Sequence, residues 1–360
     1  MRIDRNVAED LSDYFEIIHE IAKRGKDLHH PPVLWFRGLS DIQHSLIPSL
    51  FRTNTRVEGA DGFNYSSLHY AEDIRTQHYI AKNYHFFQNE PSSRVEWLEV
   101  MQHHGVKTRV LDWSESSIHS LLFAVEMFLD NSKFNQKSRE EAVPCVWVLE
   151  PTKLNRKIFE YINIHLYKAE IADLLEEMSY TSSEKKCVLE NIDKFSRFML
   201  YNKTQEMAHI DSILNLSAIN DEILRDRERM RKLLLTGDVV NPYYYLLSRI
   251  YSDGHILDKR ELPPLAVVHP YHSERIKTQH GVFTVFPFYK EQEGDEICRE
   301  MGINPDAMDN SGAASGVLHQ IVIGNPRKVA YELLKNGMND SWLYPELPVV
   351  ASEIENHQIY

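Results

Sequence analysis

Apolar residues recur along the chain in two rhythms, a spacing of three to four residues and short unbroken runs. Val7, Leu11, Tyr14, Phe15, Ile18, Ile21 and Ala22 follow the first rhythm. An amphipathic helix is therefore expected over residues 6 to 24, within an N-terminal block of residues 1 to 30. Pro31-Pro32 breaks that pattern, and Val33 to Arg37 reads as a short strand. Helical spacing returns over 66 to 88 and over 94 to 103, with Gly105 where a helix C-cap belongs. A strand is expected at 108 to 113, a helix at 117 to 129 and a core strand at 143 to 149. Three more short strands are expected at 265 to 269, 282 to 286 and 317 to 323. Asn325-Pro326 then supplies a capping residue and a first-turn proline for a C-terminal helix.

From 152 to 236 the pattern differs: charged, helix-favouring sequence with no strand rhythm. This stretch reads as a helical insertion within one domain that spans residues 1 to 360. The expected fold is α+β, a small central mixed sheet of short strands flanked by helices.

Composition narrows the function classes. Acidic residues exceed basic ones by 53 to 40, a net charge of −13, which opposes broad affinity for nucleic acid or anionic lipid. No apolar run has the length of a membrane span, and the opening residues lack a signal-peptide core, so a cytoplasmic protein without a membrane partner is expected. Cys145, Cys187 and Cys298 are far apart and form neither a disulfide framework nor a zinc pattern. Phosphate-loop, dinucleotide-loop, nucleophile-elbow and H-E-x-x-H patterns are all missing, and no metal is expected.

Candidate chemistry lies in three segments. The first is Phe36-Arg37-Gly38, where a guanidinium sits among bulky apolar neighbours. Such a charge must be paired or line a cavity, because an unpaired buried charge is very costly. Gly38 lets the backbone turn or approach a ligand closely. The second runs from Gln102-His103-His104-Gly105 to Thr108-Arg109-Val110-Leu111-Asp112-Trp113. Strand alternation puts Arg109 and Asp112 on opposite faces, so each needs a partner elsewhere in the chain. His103 and His104 are candidates for acid, base or hydrogen-bonding roles. The third segment, His272 to Thr284, places Arg275 and Gln279 one helical turn apart, facing one pocket.

Together these segments resemble the FRG domain family, named for the tripeptide present here as Phe36-Arg37-Gly38. The resemblance extends through Leu46-Ile47-Pro48-Ser49, the Gln102 to Ser114 block, Ala124-Val125-Glu126 and the Arg275 to Phe283 region. It ends at Leu343-Tyr344-Pro345-Glu346-Leu347. Lys107, Val110 and Ser114 depart from the usual proline, leucine and threonine of the family, and none of these changes removes a reactive group. The aromatic-Arg-Gly opening also looks like that of ADP-ribosyltransferases, in which the arginine holds the phosphates of NAD. Those enzymes carry a catalytic glutamate; Gln279 stands near that place in order but is an amide, and Glu126 is a substitute if its helix faces the cleft.

The resemblance implies an NAD- or nucleotide-directed enzyme of ADP-ribosyltransferase or NAD glycohydrolase type, in a bacterial toxin or phage-defence setting. His103, Asp112 and Gln279 are the catalytic candidates; Arg37, Gly38, Gln102, Thr108, Arg109 and Arg275 are the ligand-binding ones. No cofactor is required, NAD entering as a substrate. The expected partners are a nucleotide-like small molecule and a protein target. The alternatives are a non-enzymatic nucleotide sensor and a metal-independent nuclease using His103 or His104.

Overall fold

Strand alternation decides which side chains meet on each face of the sheet. A computed structural model of the chain describes residues 5–23, 32–52, 65–87, 91, 93–129, 141–161, 181–187, 190, 247–254, 256–257, 260, 262–290, 292, 295, 306–310, 315–344, 346, 349, 351 and 355. Its elements are, in order, β1 (Arg5–Ala8), α1 (Leu11–Lys23), β2 (Trp35–Leu39), α2 (Tyr65–Asn83) and α3 (Arg94–His103). Next come β3 (Val110–Ser114), α4 (Ser117–Leu129), β4 (Cys145–Leu149) and α5 (Pro151–Tyr161). The later part holds β5 (Ile256–Leu257), β6 (Leu265–Val267), α6 (Glu274–Thr278), β7 (Gly281–Val285) and β8 (Phe288–Tyr289). The chain then forms β9 (Leu318–Ile323), α7 (Pro326–Lys335) and α8 (Asp340–Leu343). Most of the 152 to 236 insertion, residues 53 to 64, which their Thr, Asn, Gly and Asp content marks as an exposed loop in the sequence, and Cys298 lie outside the described residues.

Seven strands form one mixed sheet in the order β1-β9-β4-β2-β3-β7-β6, and the fold is α+β. Only β1 and β9 pair in parallel; the other neighbours are antiparallel. Phe36, Val146, Val148 and Ile321 point to one face, where α1, α4 and α7 cover them. Trp35, Trp147, Leu149 and Trp113 point to the other, against Leu46, Leu50 and Phe51. Burial on both faces explains why these strands read as apolar runs rather than strict alternations.

The N-terminal expectation needs correction. Residues 5–8 are a strand, and the helix is confined to Leu11–Lys23. Asp10 sets the boundary, since its carboxylate accepts the Asp13 amide at 3.0 Å and caps the helix start. Val7, which fits the helical spacing, is exposed, while Ala8 is fully buried beside β9. The C-terminal cap follows the sequence reading, with Asn325 accepting the Lys328 amide and Pro326 in the first turn.

Gly38 has a packing role that the sequence did not disclose. A side chain there would place its first carbon 1.8 Å from the Ser120 carbonyl and 2.7 Å from the Ala124 nitrogen. The glycine therefore lets α4 lie directly on β2, which brings the helix to the edge of the cleft described next. Among the described residues, no helix is long and apolar enough to cross a membrane.

Candidate functional site

The sheet divides between β2 and β3. β2 pairs with β4 over five residues and β3 with β7 over five, yet β2 and β3 share the single pair Phe36–Ser114. Beyond that pair a cavity of about 460 Å³ opens, within the size range of small-molecule sites. Its walls come from β2, the C-terminal end of α3, β3, α4, α6 and β7.

Arg37 bridges the split. Its Nη1 donates to the Asp112 carbonyl at 2.5 Å and lies 2.7 Å from Asp112 Oδ2. A side chain thus makes the bonds that a neighbouring strand would supply at this edge. Asp112 is fixed from its other side by Gln102, whose Nε2 donates to Oδ1 at 3.4 Å. The orientation of that amide is imposed by Ser49 and Thr108, which donate their hydroxyls to Gln102 Oε1 at 3.1 and 3.0 Å. The cleft walls around Asp112 disfavour its charge, but Arg37, a backbone N–H and Gln102 outweigh them and hold the carboxyl below its usual pKa. Asp112 keeps 53% of its side-chain surface open to the cavity, so this charge is presented rather than sealed.

His103 ends α3 on the cavity wall. Burial pushes its pKa down to about 4, and the nearby positive Arg275 adds to the shift. The imidazole is neutral at pH 7, and its Nε2 is buried without a hydrogen-bond partner among the described residues. A pKa so far from neutrality suits hydrogen bonding to a ligand better than proton transfer. His104 is exposed and outside the cavity, its ring 6.1 Å from that of His103 and nearly perpendicular to it.

Arg275 and Gln279, from α6 and its C-cap, line the opposite wall. The Arg275 guanidinium lies over the Tyr344 ring at 4.7 Å and reaches Glu346 at 3.7 Å. Gln279 Nε2 donates to the Leu343 carbonyl at 2.7 Å, so one of its two amide hydrogens already serves the C-terminal segment. Glu126 of α4 also lines the cavity and accepts a 3.4 Å bond from the Tyr344 hydroxyl. Pro345 and Leu347 lie outside the described residues.

Two further contacts hold the walls together, and the sequence reading missed both. Glu96 and Glu99 of α3 meet His272 and His269, the residues leading into α6, at 2.8 and 2.6 Å, all four side chains being buried. The visible signal was spacing: each pair stands three apart, Glu96 with Glu99 and His269 with His272, which puts both carboxylates on one helical face. Burial disfavours charge on His269, but Glu99 and Glu96 outweigh it and raise the imidazole pKa.

Arg109 is placed elsewhere. It is fully buried, and its Nε meets Glu72 Oε2 at 2.9 Å. The remaining donors go to the carbonyls of Phe286 at 3.0 Å, Ser252 at 2.8 Å and Ile250 at 3.5 Å. It does not join Arg37, because its strand-edge position faces α2 instead of the split. Thr108 is also buried off the cavity and acts only through Gln102. Arg37, Gln102, His103, Asp112, Arg275 and Gln279 do converge on the one cavity, with Gly38 at its edge. No described group of three His, Cys, Asp or Glu side chains is arranged to hold a metal ion.

With that geometry in place, comparison with known proteins gives a single finding: residues 33–133 match the FRG domain. Nothing among curated proteins or solved structures matches the chain. The matched stretch carries Arg37, Gln102, His103, Asp112 and Glu126, whereas Arg275, Gln279 and five of the seven sheet strands come from outside it.

Proposed function

We propose, for a chain whose residues 33–133 carry an FRG domain, a nucleotide-directed enzyme with NAD as its substrate. The observation behind this reading is the convergence of Arg37, Arg275, His103 and Glu126 on one cavity at the split of the sheet. Two guanidinium groups suit a phosphate-bearing ligand. The cavity also presents the Asp112 and Glu126 carboxylates, so it is charged in both senses. That balance fits a ligand carrying anionic phosphates and a cationic ring, as NAD does.

In the proposed reaction the bond between ribose C1′ and the nicotinamide nitrogen breaks. Its electron pair leaves with nicotinamide, and positive charge develops on the sugar. Water or a protein side chain adds at C1′ and releases its proton to solvent. Arg37 and Arg275 hold phosphates, neutral His103 bonds a ribose hydroxyl, and Glu126 stabilises the developing positive charge. Asp112 and Gln102 are positioning residues that fix Arg37. A toxin or phage-defence role rests on the family resemblance alone.

The test is nicotinamide release from NAD by the full-length protein, followed by chromatography. Turnover by the wild type, with loss of at least about 100-fold in Arg37→Gln and in Glu126→Gln, is the expected result. Protein that neither binds nor consumes NAD overturns the reading. A binding-only sensor is the second reading, favoured by the low His103 pKa and by the engagement of the Gln279 amide. It predicts a rise in melting temperature with NAD and no nicotinamide release. The nuclease reading has no comparable support, since the two histidines do not face one site.

A further inference from the structure

The stretch from Leu343 to Glu346 grips the cleft from behind its walls. Phe123 and Glu126 line the cavity from α4, and Arg275 and Gln279 line it from α6 and its C-cap. Each of them touches that stretch, which contributes no described residue to the cavity lining itself. Gln279 bonds the Leu343 carbonyl. The other side chains meet at Tyr344. Phe123 packs edge-on against its ring at 6.1 Å between centroids, and Glu126 accepts its hydroxyl at 3.4 Å. The Arg275 guanidinium lies over the ring at 4.7 Å from its centroid. Tyr344 is thus seated on α4 and holds a cation carried by α6.

The way Arg275 is held decides what it can still do. A cation over an aromatic ring is attracted by the ring face, and none of its N–H groups is consumed. Arg275 Nε is buried without a hydrogen-bond partner among the described residues, and the Glu346 carboxylate, at 3.7 Å, stands beyond hydrogen-bond reach. Arg109 is fixed in the opposite way, by spending its donors on Glu72 and backbone carbonyls. The ring therefore fixes Arg275 in the cavity wall and leaves its N–H groups to a ligand.

We propose that Tyr344 is the positioning residue for Arg275: seated on Phe123 and Glu126, its ring presents the guanidinium to an anionic group of the ligand in the cleft. Without the ring, the guanidinium can close on Glu346 and is lost to the ligand. That the anionic group is a phosphate of NAD rests on the reading above; the hold of Tyr344 on Arg275 does not.

Nitrogen-correlated proton spectra of the full chain, labelled in arginine, read this contact without any ligand. The Arg275 Nε–H signal, identified by its loss in Arg275→Lys, is expected upfield of ordinary arginine signals because it lies near an aromatic ring face. Tyr344→Phe, which keeps the ring, is expected to retain that shift, and Tyr344→Leu to abolish it. Calorimetric titration with NAD reads the consequence. Tyr344→Leu is expected to weaken NAD binding about 10-fold, and Tyr344→Phe by no more than about 2-fold. Tyr344→Leu combined with Arg275→Gln is expected to bind NAD no worse than Arg275→Gln alone, since the tyrosine acts through the arginine. An Arg275 signal that Tyr344→Leu leaves in place overturns the proposal. A double variant that binds NAD more weakly than Arg275→Gln overturns it as well. The expected signals in a protein that never binds NAD retain Tyr344 as the support of Arg275 and remove the NAD reading. NAD binding that Tyr344→Leu leaves unchanged does the reverse.

Discussion

Arg109 and Arg37 stand in similar sequence, each beside bulky apolar residues in a strand-like run, and they end in opposite situations. Arg109 is sealed from solvent, with Glu72 and three carbonyls occupying its donors. Arg37 makes its bonds through Nη1 alone, to a residue whose carboxylate faces a cavity. What separates them is the number and burial of their partners, and local sequence specifies neither. A fully matched buried guanidinium is part of the framework; one with spare donors at an open wall is available to a ligand.

The largest expected effect lies in the framework arginine. Glu72→Ala leaves the Arg109 charge buried and unpaired, and a loss of about 3–5 kcal/mol is expected in denaturant unfolding. A loss under 1 kcal/mol would show that water or another acid reaches Arg109.

Gly38→Ala comes next. Its new methyl group meets the backbone of α4, so the helix must move, at a cost on the order of 1–3 kcal/mol. Reduced ligand affinity should accompany the loss, because α4 carries Glu126 into the cavity. A stable Gly38→Ala protein with normal affinity would contradict the role of this contact in aiming the cleft.

A smaller effect concerns pH. His269 has a raised pKa in the fold, and burial likewise raises the pKa of its partner Glu99. Both shifts mean that the folded chain holds more protons than the unfolded one, so stability falls as pH rises. The His269 contribution is present below its ordinary value of 6.5 and is lost as pH climbs through the raised value. Melting temperature should therefore be lower at pH 9 than at pH 6.5, and His269→Asn should flatten that slope. An unchanged slope in the variant would remove the His269–Glu99 pair as its source.

Much of this was legible in residues whose neighbours are close in sequence. The α3 boundary, the caps at Asn325 and the turn of helix joining Arg275 to Gln279 are local properties, and the sequence carries them. Alternation also rightly separated Arg109 from Asp112, leaving each to find a distant partner. What it could not supply was the identity of those partners. Glu72 lies on a helix 37 residues away, and nothing near Arg109 points to it. The split between β2 and β3 is equally tertiary, since both strands look continuous in sequence. β1 was misread because Val7 fits helical spacing while the free edge of β9, which claims it, is more than 300 residues distant. The close packing of Gly38 depends likewise on a distant element, the backbone of α4.

The smallest expected change in stability belongs to Arg37, and it comes with the largest expected change in binding. Because its pair with Asp112 is partly solvated, Arg37→Gln should cost under about 1 kcal/mol. Melting temperature with and without NAD, measured on wild-type protein and on Arg37→Gln, separates a ligand-binding Arg37 from a structural one. NAD is expected to raise the melting temperature of the wild type. Unliganded Arg37→Gln is expected to melt within roughly 2 °C of wild type and to lose the NAD-dependent rise. An equal rise in both proteins, or none in the wild type, would contradict a ligand-binding Arg37.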